Sequence, residues 1–345
     1  MLLARVIAAQ RPLTVLDLMA GCGIRALRYG LEAAAGQVWA NDADADRLPL
    51  LEGNLQVLPG QGCRLETSAR TAQHLLADCL MQQRRFALLD LDAFGCPTSL
   101  VPLALEALAF DGVLYLASTD GRSPTGHDRP AAIRSLGAAA RAHPASWELA
   151  LRLQIAVVAK VAWAMGRGIR PLFCFSEGRT FRTAIQLRRR PEPKEEQQLG
   201  LHAYCHRCAD QQQQSLLHLR QWSACACTDA PPLAISGPLW LGPLQHPPTL
   251  DAMGQAAAEL PPGSISPASL RLLAKLRADS GLPLSCWPLS ELGRRLGGGP
   301  PALDRLLEAL RQEGYQADRS AVMAGQFRSN APFQRVLELA CALNR

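Results

Sequence analysis

The chain has 345 residues, enough for two or three domains at roughly 150 residues each. Apolar residues make up 48% of it and charged residues 19%, a globular balance that excludes collagen-like and disordered chains. No stretch approaches the roughly 18–20 uninterrupted apolar residues of a transmembrane helix. Residues 1–10 lack the basic and apolar regions of a secretory signal. We therefore expect a soluble, cytoplasmic protein.

The formal net charge is +6, from 36 Lys and Arg against 30 Asp and Glu. This charge permits a polyanionic partner without requiring one. Basic clusters at residues 188–190 and 294–295 are candidate phosphate contacts, although a run of charge is more often a solvated face. Seven of the 11 cysteines are scattered singly, which is typical of buried thiols in a reducing compartment.

Residues 13–190 alternate short β-rich runs with helical stretches, a pattern that predicts a parallel sheet covered on both faces. The predicted strands are 13–18, 38–42, 86–91, 112–118, 170–176 and 181–187. The predicted helices are 24–34, 45–58, 99–109 and 146–165. Too little chain separates the last two strands for a helical crossover, so we expect them to be antiparallel.

The C-terminal half has a different composition. Residues 191–199 are polar and are predicted to be a linker, and the glutamine run 211–214 is predicted to be a solvated loop. The turn-rich apolar segment 237–243 can pack the intervening cysteine-containing module onto a neighbour. Three amphipathic stretches and a hairpin then outline a winged helix. They cover residues 266–278, 289–296, 302–313 and 315–328.

The turn after the first predicted strand has features of a nucleoside-cofactor site. Gly21 and Gly23 lie between this strand and the next helix, where glycine lets the backbone approach a ligand and the helix N-terminus offers free N–H groups. Asp42 ends the next strand, where a carboxylate can accept both ribose hydroxyls. A glycine pair alone is equally compatible with a tight turn. The lack of a third glycine favours a methionine-sulfonium cofactor over a dinucleotide.

The segment Asp92-Ala93-Phe94-Gly95 follows a strand that ends at the same sheet edge. Methylation of an exocyclic base amine requires the nitrogen lone pair to be freed from conjugation and aimed at the sulfonium methyl. A carboxylate and a backbone carbonyl can accept the amine protons while an aromatic ring stacks on the base, so Asp92 and Phe94 are candidate catalytic residues. Taken alone, the tetrapeptide is explained somewhat better by a helix cap and a packing residue.

Several motifs, in order, resemble the tRNA (guanine(26)-N2)-dimethyltransferase family from about Val15 to the C-terminus. They include a Gly-Ile-Arg-Ala-Leu-Arg-Tyr run, a Trp-Ala-Asn-Asp strand end and an Asp-Leu-Asp-Ala-Phe-Gly-Cys-Pro segment. They lie at residues 20–29, 39–42, 90–97, 118–120, 147–152, 179–182, 237–244 and 314–332. The resemblance implies an S-adenosylmethionine-dependent enzyme that adds one or two methyl groups to the N2 amine of a tRNA guanine.

The resemblance also implies a seven-stranded class I methyltransferase domain followed by a C-terminal domain that helps to hold tRNA. Together with the strand and helix pattern and the cysteine spacing, we expect an α/β fold: a doubly wound methyltransferase domain followed by a smaller, zinc-containing α+β domain with a winged-helix-like end. We expect the methyltransferase domain at 1–190, a linker and cysteine module at 191–250, and a tRNA-binding domain at 251–345. The expected partner is tRNA, without a membrane or an obligate protein partner.

By position, the resemblance implies a cofactor site that contacts methionine, ribose and adenine in turn. The residues are Gly21, Gly23 and Arg25 for the methionine part, Asp42 for the ribose, and Ser68 and Ala69 for the adenine. Asp92 and Phe94 would hold the guanine amine.

Three features depart from the family pattern. The family usually has several dozen residues before the first strand, including an Arg-Asp pair near the cofactor, where this sequence has about a dozen. Ala93 replaces a family proline, and Ser68 replaces an acidic residue. We therefore expect a misassigned start or a cofactor pocket without one wall, and reduced cofactor affinity. An rRNA or DNA amino-methyltransferase and a non-catalytic tRNA-binding protein with a degenerate pocket are the alternatives.

Cys205 and Cys208 are followed, after 16 residues, by Cys225 and Cys227. Two thiolate pairs at such spacing can close a tetrahedral zinc site, worth on the order of 10 kcal/mol to the folding of a small module. The second pair is tighter than usual, His206 is a possible substitute ligand, and reduced thiols without metal are the alternative. Four protein ligands leave no open position, so the predicted zinc is structural.

Overall fold

A seven-stranded sheet lies at the centre of this computed structural model, which describes residues 1–223, 225, 227 and 231–344. Its strands are β1 (Thr14–Asp17), β2 (Gln37–Asp42), β3 (Arg64–Ala69), β4 (Phe86–Asp92), β5 (Leu108–Ser118), β6 (Gly168–Glu177) and β7 (Thr180–Arg188). They lie in the order β3-β2-β1-β4-β5-β7-β6. The ladders from β3 to β5 are parallel, and β7 is antiparallel to β5 and β6. The predicted antiparallel pair is therefore confirmed.

Helices cover both faces of this sheet. They are α1 (Leu2–Ala8), α2 (Ile24–Glu32), α3 (Leu48–Leu55), α4 (Ala72–Met81), α5 (Val101–Glu106), α6 (Arg129–Leu136) and α7 (Trp147–Ala164). Residues of α1, α2 and α3 share an apolar cluster with one face, and residues of α4, α5 and α7 share another with the opposite face. The predicted doubly wound α/β arrangement is confirmed. The strand order reverses at β1, so the carboxyl ends of β1 and β4 border the crevice where such sheets bind ligands.

Strand β3 is absent from the sequence-based prediction because it lies at the sheet edge. Its residues are exposed or half-buried and mostly polar, so no apolar run marks it. Strand β5 begins at Leu108, earlier than predicted, and helix α5 accordingly ends at Glu106.

A second, antiparallel sheet follows in the chain. It consists of β8 (Leu199–Tyr204), β9 (Gln211–Ser215) and β10 (Ala234–Trp240), in the order β10-β8-β9. The prediction of a solvated loop at 211–214 is wrong, because these glutamines form the edge strand β9. Their backbones pair with β8, and their amides bond to other segments: Gln211 Nε2 donates to the carbonyl of Cys286 at 2.7 Å. A run of identical polar residues carries no alternation that would reveal a strand.

The segment predicted as a linker packs against the large sheet. Glu195 is buried, and its carboxylate accepts hydrogen bonds from Trp163 Nε1 at 2.6 Å and from the backbone N–H of Ile169 at 2.9 Å. The segment thus combines exposed residues at 191–194 with one buried carboxylate whose hydrogen bonds are satisfied.

The last part of the chain has the element order of a winged helix. Its elements are α8 (Pro247–Ala258), α9 (Pro267–Ala278), β11 (Cys286–Pro288), α10 (Leu289–Leu296), α11 (Leu303–Gln312), β12 (Ala317–Arg319), β13 (Gln326–Ser329) and α12 (Phe333–Leu343). The three strands pair in the order β11-β13-β12 around a core that includes Trp287, Leu306 and Phe327. The three predicted helices and the hairpin are confirmed. Within the described parts of the chain, no helix is long and apolar enough to cross a membrane.

Buried ion pairs join this part to the domain of the seven-stranded sheet. Arg328 of β13 donates through Nε to Asp279 Oδ1 at 2.6 Å, and its Nη2 lies 2.8 Å from Glu148 Oε2 on α7. Arg152 donates to the same glutamate at 2.6 Å and to the carbonyl of Trp240 at 3.0 Å. The apolar segment that ends β10 is thereby attached to α7, as its composition predicts.

Candidate active site

The glycine turn between β1 and α2 is fixed to the end of β2. Gly21 and Gly23 have φ angles of 59° and 84°, in the left-handed region that favours glycine. A Cβ on Gly23 would lie 2.8 Å from Leu51 Cδ1, so the close approach of α2 and α3 also requires glycine there. The Gly21 N–H donates to Asp42 Oδ2 at 2.9 Å. The two predicted parts of the cofactor site are therefore in contact.

The proposed ribose and adenine residues lie side by side. Asp42 and Ala69 are register partners at the ends of β2 and β3. Ser68 Oγ donates to Asn41 Oδ1 at 2.7 Å and accepts from Trp39 Nε1 at 3.0 Å. The buried Asn41, to which the sequence analysis gave no role, also donates to the carbonyl of Leu18 and thus braces this edge.

Arg25, in the first turn of α2, is surrounded by three carboxylates. Its Nη2 donates to Asp17 Oδ1 at 3.1 Å and to the carbonyl of Met19 at 2.9 Å. Its Nε lies 3.1 Å from Asp90 Oδ2, and its Nη1 donates to Asp92 Oδ2. Asp17 and Asp90 are register partners on β1 and β4 and are completely buried. Arg25 therefore connects the two strand ends that border the crevice.

One guanidinium does not neutralise three carboxylates. Burial and the neighbouring Asp90 raise the pKa of Asp17 to about 7, and burial also raises the pKa of Asp90. Tyr29 donates to Asp90 Oδ2 at 2.8 Å. Asp17 Oδ2 and Asp90 Oδ1 are buried without a hydrogen-bond partner among the described residues. We infer that this pair retains a proton near neutral pH.

Asp92 and Phe94 occupy the tip of β4, as predicted. Arg25 and, at 3.7 Å, Arg182 Nη1 approach Asp92 Oδ2, and the side chain of Asp92 is 21% exposed. Phe94 is 99% exposed, so its ring is available for stacking. The turn that presents it is held by the end of β5: Ser118 Oγ donates to the Gly95 carbonyl at 2.8 Å. The hydrogen bonds with β5 thus constrain the turn although Ala93 replaces the family proline.

The four cysteines of the second sheet form one cluster. Among the described residues, the Sγ atoms of Cys205, Cys208, Cys225 and Cys227 all lie within 4.8 Å of one another. Cys205 Sγ is 3.6 Å from Cys225 Sγ and 3.8 Å from Cys227 Sγ. Four thiolates at zinc–sulfur distances of about 2.3 Å would be separated by similar distances, so this donor set fits a tetrahedral zinc ion. His206 is not part of the cluster.

Comparison with known proteins is decisive for the family. A family model described as N2,N2-dimethylguanosine tRNA methyltransferase matches residues 3–340. The chain belongs to this family.

Family members with similar sequences span most of the chain. The tRNA (guanine(26)-N(2))-dimethyltransferase of Pyrococcus horikoshii is 27% identical over 340 residues, which cover 95% of this chain and 86% of the relative. The enzyme of the same name from Methanospirillum hungatei is 29% identical over 338 residues, covering 96% and 86%. The structure of Trm1 from Pyrococcus horikoshii with S-adenosyl-L-methionine superimposes with a TM-score of 0.83 at 24% identity, covering 98% of this chain and 92% of that one. The fold is therefore that of Trm1.

Three residues at the candidate site are absent from the sequence-based candidates: Asp17, Asp90 and Arg182. Asp17 ends the buried strand β1, and Asp90 lies near the end of the buried strand β4. Asp90 precedes Asp92 by two positions, so these two side chains project from the same face of the sheet. That spacing is a usable signal, because strand alternation places the two carboxylates together. Arg182 lies on β7, and no pattern in the sequence indicates that it reaches Asp92.

A cavity of about 620 Å³ adjoins this group of residues. Its lining includes Tyr115 and Phe173 of the sheet, residues of α1 and α9, and both Arg25 and Arg182. The cavity therefore reaches the two arginines that contact Asp92.

The basic clusters at 188–190 and 294–295, the candidate phosphate contacts, differ in how far their arginines are already engaged within the protein. Arg295 is engaged within the protein, where it donates to Glu291 at 2.6 Å and to the carbonyl of His206 at 3.1 Å. Arg294 also donates to Glu291, at 2.7 Å. Arg189 and Arg190 are exposed, although the guanidinium of Arg189 stacks over Phe110 at 4.7 Å. The cluster at 188–190 is the better candidate for contact with phosphates.

Proposed function

We propose that this chain transfers one or two methyl groups from S-adenosylmethionine to the exocyclic N2 amine of guanine 26 in tRNA. The observation that carries the proposal is the position of Asp92. This carboxylate lies at the end of β4, and Arg25 joins it to the strand end from which the glycine turn departs. The names of the family members support the tRNA guanine as substrate.

The residues at the crevice fit the cofactor. The turn at Gly21 and Gly23 brings backbone to the ligand side, and α2 offers its N-terminal N–H groups. Asp42 accepts one backbone N–H on each oxygen, from Gly21 at 2.9 Å and from Asp44 at 3.1 Å. Each carboxylate oxygen has a second lone pair, which can accept a ribose hydroxyl. Ser68 and Ala69 would border the adenine, and Arg25 would border the methionine part. The bound cofactor supplies an electrophilic methyl group on its sulfonium.

Asp92 performs the central step in this proposal. Oδ2 is held by Arg25, which leaves Oδ1 to accept an N2–H of the guanine and to free the nitrogen lone pair from conjugation. When the new N–C bond forms, the amine loses a proton; Asp92 can take it and pass it to solvent, since its side chain is 21% exposed. Positioning and a fixed charge, rather than a covalent enzyme intermediate, supply the acceleration.

Phe94 would hold the target base outside the RNA stack. Extruding a base costs a few kcal/mol, and stacking on an aromatic side chain is worth about 1–3 kcal/mol. The exposed ring at the tip of β4 can therefore offset much of this cost.

The four cysteines would hold a structural zinc ion that ties strand β8 to the following segment. With this support, the C-terminal part would grip tRNA through its shape and phosphates. We place the reaction in the cytoplasm, where the free thiols of the described cysteines would remain reduced.

The direct test is incubation of the protein with tRNA and methyl-labelled S-adenosylmethionine, followed by identification of the labelled nucleoside. We expect N2-methylguanosine and N2,N2-dimethylguanosine, and no label in a matched tRNA with adenine at position 26. Label in rRNA or DNA instead would contradict the tRNA assignment. Absence of methyl transfer, together with no heat of cofactor binding to folded protein, would favour the alternative of a non-catalytic tRNA-binding protein.

A further inference from the structure

Arg182 lies beside the catalytic carboxylate without a role in the mechanism above. Asp92 is the register partner of Ala117 on β5, which is in turn the register partner of Arg182 on β7. The two side chains therefore start at the same level of the sheet, two strands apart. Because Ala117 between them is small, the arginine reaches across it and brings Nη1 to 3.7 Å from Asp92 Oδ2.

Arg182 and Arg25 contact the same carboxylate oxygen but differ in their other contacts. Arg25 also donates to Asp17 at 3.1 Å and to the carbonyl of Met19 at 2.9 Å, so these two hydrogen bonds fix the position of its guanidinium. The ion pairs of Arg182 with Asp92 and Glu177, at 3.7 and 3.6 Å, are longer than hydrogen bonds. Its side chain is 21% exposed. Arg182 also shares a hydrogen bond with the side chain of Tyr115. Because a guanidinium carries five N–H donors, N–H groups remain available to a ligand next to Asp92.

Guanine presents its groups in a fixed order along one edge: the O6 acceptor, the N1–H donor and the N2 amine. A carboxylate can accept the N2–H with one oxygen and the N1–H with the other. The guanine O6 then lies next to the carboxylate oxygen that accepts from N1–H. In this site that oxygen is Oδ2, which accepts from Arg25 with one lone pair and can accept the N1–H with the other. The cation beside Oδ2 with available donors is Arg182. Arginine is also the side chain that most often reads guanine O6 in nucleic acids.

We propose that Arg182 donates a hydrogen bond to O6 of the target guanine and thereby selects guanine for methylation; this inference rests on the proposed function. Adenine carries an amine at the position of O6, which would face the N–H groups of Arg182 without an acceptor. An unpaired donor in a partly buried site disfavours the wrong base. Asp92 accepts from the N2 amine, which adenine lacks, and Arg182 adds recognition of O6.

The test compares two tRNAs that differ in one atom, with guanine or 6-thioguanine at position 26. The thio base keeps N1–H and the N2 amine but replaces O6 with a weaker acceptor. We expect the wild type to prefer guanine by at least about 10-fold in kcat/KM, as for the loss of one charge-assisted hydrogen bond. Arg182→Met should lose about 10–100-fold on guanine and less than about threefold on 6-thioguanine, so that the preference disappears.

Arg179→Met is the matched control, because Arg179 is exposed on the turn between β6 and β7. This variant should keep the wild-type preference. Arg182→Lys, which retains a charge and a donor, should recover part of the preference. If Arg182→Met lowers both rates equally, or neither, the residue has no contact with O6 and the inference is wrong. If the wild type methylates neither tRNA, both the proposed function and this inference fail.

Discussion

Replacement of Arg25 by methionine would leave three neighbouring carboxylates without the cation that they share, and should therefore destabilise the folded protein. The variant keeps the length of the side chain but removes the one guanidinium shared by Asp17, Asp90 and Asp92. The first two carboxyls are completely buried, and loss of one partner of a buried ion pair costs about 3–5 kcal/mol. We expect a loss of this size in the free energy of unfolding at pH 8.

The same variant should show a characteristic pH dependence. Without the cation, the folded protein must bind at least one more proton than the wild type at the buried carboxyls, whose pKa values are already raised by burial. The unfolded chain binds none there above about pH 4–5. Each additional proton makes the folded state less stable by about 1.4 kcal/mol per pH unit as the pH rises. Over the three units from pH 5 to pH 8 this amounts to about 4 kcal/mol, so most of the loss should vanish at pH 5.

Urea unfolding of the full chain at pH 5, 6, 7 and 8 measures this difference. Arg28→Met is the matched control, one turn along the same helix, where the exposed pair with Glu32 should contribute about 0–1 kcal/mol at every pH. A penalty for Arg25→Met that is the same at pH 5 and pH 8, or no larger than that of Arg28→Met, would refute the shared-proton description of the cluster.

Three further predictions concern the proposed function. Asp92→Asn should lower kcat by on the order of 10²–10⁴-fold, while calorimetry should show unchanged affinity for S-adenosylhomocysteine; substantial turnover would mean that another group accepts the amine proton. Asp42→Ala should weaken the affinity for the same ligand by about 1–3 kcal/mol, and unchanged affinity would move the ribose site elsewhere. A strong zinc chelator should release one equivalent of zinc per chain and lower the thermal unfolding temperature. The variant Cys208→Ser should contain no zinc. Metal-free protein of unchanged stability would contradict the structural role of the zinc.

Much of the architecture follows from the sequence alone. Buried strands such as β1 and β4 are apolar runs with a carboxylate at or near the end, and the short gap between β6 and β7 requires an antiparallel pair. The positions of Gly21 and Asp42 are also set locally, because each follows a strand whose carboxyl end lies at the same edge. The edge strands β3 and β9 were not predicted, since neither has an apolar face to mark it.

Only the tertiary structure decided what surrounds Asp92, the proposed catalytic carboxylate. Arg25 and Arg182 are 157 positions apart, yet both approach Asp92. Arg182 does so because parallel strands β4 and β5 and antiparallel strand β7 align it with Asp92, and Arg25 because α2 begins beside the ends of β1 and β4. The buried position of Asp17 and Asp90, and hence their raised pKa values, likewise results from packing of α2 across the strand ends. Sequence patterns identify side chains that can do chemistry, whereas distances, desolvation and charge sharing arise only when the chain has folded.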